Sequence, residues 1–332
     1  MSSTSSTTVS SRNAEIANWV CTALAMTVLL VRIGSIQYQL RRPDVSTYVA
    51  ALSLTVLTAR TICNYYILKY GTVGSLDPEE SITQAEYNKA ATGSVLALAA
   101  RVLITSFYWL QCVLLLLVYR RILSDIRWVQ ITIRFCWVAI VTTWIAVVLT
   151  TFLECRPLNR YWQLTPDPGS CVRAYGQLLV QCISNISIDL ILMAISIPLL
   201  RAQARVWPHN LQLGSIVILG TFCIIITSLR IVYTYQASSA QPARSLWASV
   251  QAVVSAFVAN APSIYGALIV LKRRKGTETG RSGLHADSDD SLTHIEEVAP
   301  TSYYEVQAHT RNIVSKRSGE VEVHEMVPSS KP

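Results

Sequence analysis

Long apolar segments of this sequence contain charged side chains, among them Arg60, Arg101, Asp189 and Arg230. A charged side chain at membrane depth costs about 3 kcal/mol or more, so such residues face protein or water and mark a candidate site. A guanidinium group can hold carboxylate or carbonyl oxygens by charge-assisted hydrogen bonds. Catalysis would need a proton donor, for which Asp189 and Tyr108 are the candidates. The catalytic residues, and whether the protein is an enzyme, stay undecided.

Helical periodicity gives these residues polar neighbours, because positions i, i+3, i+4 and i+7 share one face of a helix. The three polar faces are Arg101, Thr105, Tyr108 and Cys112; Gln181, Asn185 and Asp189; and Gly220, Cys223, Thr227, Arg230 and Thr234. Polar side chains are unfavourable in contact with lipid, so we expect all three faces to point toward one interior. The aromatic side chains expected nearby are Tyr65, Tyr66, Tyr108, Trp109, Tyr233 and Tyr235.

Two interpretations of this interior remain open. In the first, it is a cavity in the outer half of a bundle that binds a small organic molecule by its acidic or carbonyl-bearing end. The ligand-binding residues of that hypothesis are Arg60, Asn64, Arg101, Tyr108, Asn185, Asp189 and Arg230. In the second, Asp189 reaches Arg101 and the other arginines bind carbonyls or extend toward the surface. Because one acid faces three arginines, the sequence slightly favours the ligand.

Seven apolar segments position these residues, and each reaches the roughly 20 residues needed to cross a bilayer. They lie near residues 15–36, 46–68, 91–119, 129–153, 175–200, 213–235 and 246–271. The sequence therefore predicts an all-α fold, a seven-transmembrane helix bundle over residues 15–271. We expect residues 1–14 to form a short extracellular N-terminus. The first segment lacks a basic region and a cleavage site, so we expect it to be a retained span. Residues 272–332 are polar, and we expect a disordered cytoplasmic tail.

Composition and charge agree with a membrane protein. The chain has 332 residues, 51% hydrophobic and only 14% charged, against about 25% charged in soluble domains. This excludes an ordinary soluble enzyme, and no basic run interleaved with aromatics indicates a nucleic-acid partner. Lys and Arg are more numerous on one side of the spans, which predicts the N-terminus outside and the C-terminus in the cytoplasm. The expected location is a multi-pass position in the plasma membrane or an endomembrane.

Two of the eight cysteines differ from the rest. Cys155 and Cys171 both fall in the predicted outer loop after the fourth span, where an oxidising exterior favours a disulfide bond. The alternative is a pair of free thiols. The other six cysteines lie within spans, where small apolar packing is the ordinary role. No transmembrane metal site is expected, because His209 lies in an inner loop and the other histidines in the tail.

Several motifs resemble one family. Phe152-Leu153-Glu154-Cys155-Arg156-Pro157, then Trp162 and Gly169-Ser170-Cys171, is similar to the outer loop of the fungal seven-span rhodopsin-domain integral membrane proteins. The other matching positions are Tyr119-Arg120-Arg121-Ile122, Asn185, Asp189, Ile197-Pro198, Leu219-Gly220, Ser228-Leu229-Arg230, Trp247 and Pro262. The resemblance covers about residues 15–271. Two positions depart from it: Gln251 stands where an acid is expected, and Cys112 where a lysine is expected.

The resemblance implies two functional classes, since some members are receptor-like sensors and others are encoded beside genes for specialised metabolism. We favour a component of a specialised-metabolite pathway that binds a small organic molecule. The alternative is a receptor-like sensor of an external cue that signals through its cytoplasmic loops, and a transporter is third. The expected partners are the lipid bilayer, the small molecule and cytoplasmic signalling or pathway proteins. No cofactor is expected, and retinal is excluded because residues 246–271 contain no lysine for a Schiff base.

Overall fold

The protein is described by a computed structural model, which describes residues 11–40, 44–73, 83–122, 127–163, 171, 173–202, 207–236 and 241–283. Within these residues the chain forms seven α-helices and no strand. The helices are α1 (Ser11–Leu40), α2 (Val45–Tyr70), α3 (Gln84–Ile122), α4 (Arg127–Leu153), α5 (Tyr175–Ala202), α6 (Trp207–Gln236) and α7 (Gln241–Gly283). The prediction of an all-α fold is confirmed.

Six of the seven helices, α1 to α6, are long and apolar enough to cross a membrane by length and composition. Large apolar side chains on their outer faces stay exposed, among them Ile131, Val138 and Ile218. Such faces are unfavourable in water and suit hydrocarbon. A multi-pass integral membrane protein is thereby supported. The seventh span and the orientation of the termini stay predictions.

The seventh helix is more polar than the others because neighbouring helices enclose it. Its described part buries Ser245, Ser249, Gln251, Ser255 and Asn260. Gln251 and Asn260 lie nine positions apart, on opposite sides of an ideal helix. From the sequence alone, we would expect both to reach the core only if the helix bends. Both are buried, because α6 lies against one side of α7 and α1 and α3 against the other.

Helices α2 and α3 share an extensive contact and approach each other closely where α2 ends. Asp44 begins α2 by accepting a hydrogen bond from the Val45 N–H at 2.8 Å. Gly71 ends α2 with φ 73°, and its N–H donates to the Ile67 carbonyl at 2.9 Å. Gly93 of α3 lies so close to Gly71 that a β-carbon there would stand 1.9 Å from the Gly71 carbonyl oxygen. Only glycine fits at this crossing.

The predicted disulfide bond between Cys155 and Cys171 is confirmed. It lies in the connection between α4 and α5, which we call the disulfide loop (residues 154–174). The end of the bundle that carries this loop is called the disulfide end, and the sequence predicts that it faces outside. Tyr161 of the loop donates to the Thr151 carbonyl at 3.0 Å, and Tyr87 of α3 donates to the Trp162 carbonyl at 3.2 Å. The loop is therefore tied to both α3 and α4.

The helices extend beyond the spans expected from hydropathy. Helix α3 begins at Gln84 instead of near residue 91, and α7 begins at Gln241 instead of near residue 246. Helix α7 also continues to Gly283, past the expected end near residue 271. The predicted domain boundaries at residues 14 and 271 stay predictions. Residues 1–10 and 284–332, and the Gly169-Ser170 motif, lie outside the described residues.

Candidate functional site

Five helices surround a cavity of about 40 Å³ at the disulfide end. Its walls come from α2, α3, α5, α6 and α7. The lining residues are Arg60, Asn64, Ala97, Ala100, Arg101, Ile104, Gln177, Gln181, Arg230, Arg244, Ser245 and Ala248. Four arginines line the cavity, and no Asp or Glu lines it within the part of the chain that the structure describes. The wall is therefore cationic and rich in hydrogen-bond donors.

Arg60 of α2 joins three helices at the cavity wall. Its Nη1 donates to Asn18 Oδ1 of α1 at 3.1 Å and to Ser249 Oγ of α7 at 2.9 Å. Its Nη2 donates to the Ser245 carbonyl at 3.3 Å. Ser249 in turn donates to Asn18 Oδ1 at 2.7 Å. These partners are neutral, so they satisfy the guanidinium hydrogens without balancing the charge.

Arg230 of α6 has a similar set of neutral partners. Its Nη1 donates to Gln251 Oε1 at 2.7 Å and to the Tyr108 hydroxyl at 3.4 Å. Its Nη2 donates to Gln181 Oε1 at 3.3 Å, and the guanidinium lies 5.5 Å from the Tyr108 ring centroid. The Arg230 Nε is buried without a hydrogen-bond partner. This arginine therefore keeps a donor that a bound acceptor can use.

Arg101 and Arg244 complete the cationic wall on the side of the disulfide loop. The Arg101 guanidinium lies 5.5 Å from the centroid of the Tyr161 ring. Arg244 donates to the Arg173 carbonyl and, at 3.4 Å, to Gln177 Oε1. Glu154 is the carboxylate whose charge acts on both arginines. The disulfide loop thus brings the Glu154 carboxylate near the cavity, although Glu154 is not one of the lining residues.

Glu154 and Tyr161 have defined roles within the loop. The two Glu154 carboxylate oxygens accept the N–H groups of Gly176 and Gln177 at 2.7 and 3.1 Å, at the start of α5. Burial raises the pKa of the Tyr161 hydroxyl above its ordinary value, and the nearby Arg101 charge lowers it by a smaller amount. Tyr161 therefore stays protonated, and it donates its hydrogen to Thr151.

The structure brings together four of the seven predicted site residues: Arg60, Asn64, Arg101 and Arg230 line the cavity. Tyr108 lies next to Arg230 and donates to the Ala248 carbonyl at 2.7 Å. The polar faces expected on α3, α5 and α6 are mostly buried, as predicted.

Asn185 and Asp189 of α5 do not line the cavity. Asn185 Nδ2 donates to Asp189 Oδ2 at 3.2 Å, and the carboxylate lies beside Cys112 and Cys223. Arg101 has Glu154 as its charged neighbour. The suggested pairing of Asp189 with Arg101 is therefore wrong, and the carboxylate near Arg101 is that of Glu154. The reason is that the disulfide loop folds back onto α3.

Of the aromatic side chains expected near the interior, Tyr108 contacts Arg230. Trp109 is buried but donates to Thr143 of α4, and the other four lie away from the cavity. Tyr65, Tyr66, Tyr233 and Tyr235 are exposed on the outer face of the bundle. All four make ring contacts there: Tyr65 contacts Trp19 and Tyr66, Tyr235 contacts Tyr175, and Tyr233 stacks on Trp247 with centroids 4.6 Å apart. Exposed Trp and Tyr near helix ends are typical of a membrane–water interface. They mark the interface and do not cover the cavity.

Two buried arginines are absent from the sequence-based site. Arg244 precedes the seventh span expected near residues 246–271, but α7 begins at Gln241 and Arg244 is buried. Arg32 lies inside the first span and was missed. It donates to Asn260 Oδ1 at 2.8 Å, to the Ala259 carbonyl at 3.1 Å and to Ser46 Oγ at 2.7 Å. The signal for Arg32 was its position seventeen residues into an apolar span.

Comparison with known proteins agrees with this architecture. The model of the fungal rhodopsin domain family matches residues 19–269, which covers the described helices from α1 into α7. Neither the comparison with curated proteins nor the comparison with solved structures found a match. On the strength of the family match, this chain belongs to the fungal rhodopsin-domain family of integral membrane proteins.

Proposed function

We propose that this protein binds a small organic molecule by its acidic or carbonyl-bearing end at the arginine cavity, as a component of a specialised-metabolite pathway. The observation that carries the proposal is the convergence of Arg60, Arg101, Arg230 and Arg244 on one cavity. Charged side chains are rare inside membrane bundles and usually serve a substrate or ion. A structural contact between two helices needs only one arginine, whereas four line this cavity.

The size of the cavity limits which part of the molecule it holds. A volume of about 40 Å³ has room for roughly three water molecules, so it accommodates an end group but not a whole metabolite. The apolar body of the ligand lies outside this cavity, in the opening toward the disulfide end or between helices. The exposed rings Tyr65 and Tyr233 stand on the outer face and do not enclose it.

The alternative function is a receptor-like sensor, and one feature of α7 favours it. Near the disulfide end Arg60 holds α7 through Ser249, and farther along the helix Arg32 holds it through Asn260. Pro262, which removes a backbone donor, lies just beyond the second contact. A ligand that moves Arg60 would therefore displace α7 near the disulfide end. The hydrogen bond between Arg32 and Asn260 would connect that displacement to the far part of the helix.

Deletion of the gene, with metabolite profiling, separates the two functions. We expect the deletion to change the profile of secreted metabolites, and the wild-type gene to restore it. Arg60→Ala and Arg230→Ala are expected to fail to restore it while the protein stays in the membrane. Arg120→Ala, which changes an exposed arginine at the end of α3, is the matched control. An unchanged profile with a lost response to an external cue would favour the receptor.

A further inference from the structure

Within the part of the chain that the structure describes, the cavity wall carries more positive charge than the neighbouring carboxylates balance. Arg60 and Arg230 are 3% and 5% exposed, and the hydrogen-bond partners of their guanidinium groups are amides, hydroxyls and a carbonyl. Arg101 and Arg244 add two more charges, and among the residues that the structure describes Glu154 is the carboxylate that faces both. A buried charge is unfavourable unless an opposite charge offsets it. The cavity therefore favours a bound negative charge.

Unused donors point to the same conclusion. Arg230 Nε, Asn64 Nδ2 and Gln181 Nε2 are buried and have no hydrogen-bond partner, and all three residues line the cavity. An unsatisfied buried donor costs about 1–3 kcal/mol. All three atoms are donors, so a group with acceptor lone pairs and no hydrogen satisfies them best. A hydroxyl or an amide end group would bring its own donor into a wall that already has too many.

We infer that the cavity is a site for a small monovalent anion, either a chloride ion or the carboxylate end of an organic acid. The inference rests on the proposed function and narrows it, because a neutral carbonyl end would leave the charge of the wall unbalanced. The volume of about 40 Å³, which has room for roughly three water molecules, accommodates a chloride ion or a carboxylate group. Charge-assisted bonds from Arg230 and from the amide donors hold the anion.

The test is the effect of anions on the thermal stability of the purified full chain in detergent. A ligand that binds only the folded state raises the unfolding midpoint in a saturable way. Sodium chloride, sodium acetate and acetamide are titrated separately at one ionic strength, which sodium HEPES keeps constant, so the measured response is the preference for the small anion over the buffer sulfonate. We expect chloride or acetate to raise the midpoint by about 5 °C at roughly a hundred times its dissociation constant. Acetamide has the shape of acetate without its charge and is expected to have no effect.

Two variants connect this response to the cavity. Arg230→Gln removes one charge and one free donor, and it is expected to abolish the saturable response. Gln251→Glu places a carboxylate where Arg230 Nη1 already donates at 2.7 Å, so it supplies the missing negative charge from within the protein. We expect it to raise the midpoint in anion-free buffer and to weaken the response to added anion. Gln37→Glu makes the same chemical change at an exposed position of α1 and is expected to leave the response unchanged.

The outcomes separate this inference from the proposed function. A response to chloride alone identifies an inorganic anion site, and a response to acetate alone identifies a carboxylate site; both support the inference. Equal effects of acetate and acetamide, or no saturable effect of either anion, would overturn it and leave the metabolite proposal standing. A normal anion response of the wild type, together with full rescue of the deletion by Arg60→Ala and Arg230→Ala, would support the anion site and contradict the metabolite proposal.

Discussion

Replacing Gly93 by alanine tests the close contact between α2 and α3, the pair that carries three of the cavity arginine and amide side chains. The added β-carbon would lie 1.9 Å from the Gly71 carbonyl oxygen and 3.2 Å from its carbonyl carbon. The atom it meets is backbone, so no side chain can rotate away. Carbon and oxygen atoms need about 3.2 Å between centres, so the helices must separate locally by roughly 1.3 Å.

The expected cost follows from that displacement. Overpacking of a well-packed interior costs about 1–3 kcal/mol, whereas alanine otherwise stabilises a helix interior relative to glycine by about 1 kcal/mol. We therefore expect Gly93→Ala to lower the free energy of unfolding by about 2 kcal/mol. The same shift would move Arg60 and Asn64 relative to Arg101 and weaken the saturable anion response, because a displacement of about 1 Å is enough to disturb a binding geometry.

The assay is thermal unfolding of the purified protein, with and without sodium acetate. Gly34→Ala is the matched control, because a β-carbon at Gly34 of α1 would have no atom within 4 Å, and we expect it to be neutral or stabilising. If Gly93→Ala is as stable as Gly34→Ala and responds equally to acetate, the conclusion that α2 and α3 are in backbone contact at Gly93 is wrong.

Three further predictions concern the disulfide loop. Cys155→Ser opens a disulfide with a sequence separation of 16 and is expected to lower the free energy of unfolding by about 3 kcal/mol; adding a reductant to the wild type should reproduce that loss and leave the variant unchanged. Glu154→Ala removes the acceptor for two N–H groups at the start of α5, and denaturation should show a loss of about 1 kcal/mol. For Tyr161, burial raises the pKa in the folded state, so its contribution is complete below the unfolded pKa of about 10 and is lost as pH rises through the folded pKa. The unfolding midpoint of the wild type should therefore fall as pH rises above about 10, and a Tyr161→Phe variant that falls as steeply would contradict this.

Much of the fold was predictable because hydropathy and periodicity depend on short stretches of chain. Apolar runs of sufficient length located α1 to α6, and the polar face of α6 from Cys223 to Thr234 is buried as its spacing indicates. The disulfide between Cys155 and Cys171 followed from loop position and compartment. Arg32 was equally visible in the sequence, as an arginine within an apolar span, and it was missed.

Other features depend on which helices are neighbours, and periodicity carries no information about that. Tyr233 lies three positions from Arg230, yet it is 45% exposed while Arg230 is buried. Asp189 belongs to a polar face of α5 as predicted, but it faces Cys112 and Cys223 away from the cavity. A helical pattern tells which residues share a face; it does not tell which partner covers that face.

The sequence by itself determined that this is a membrane protein of helices with a few buried charges and one loop disulfide, because length, hydropathy and spacing are local properties. Only the tertiary structure decided that Arg244 joins Arg60, Arg101 and Arg230 around one cavity. It also decided that Gln251 and Asn260 are both buried on a single helix. The physical reason is that α7 is enclosed on opposite sides, so its polar residues meet partners on α1, α3 and α6, which come from distant parts of the chain.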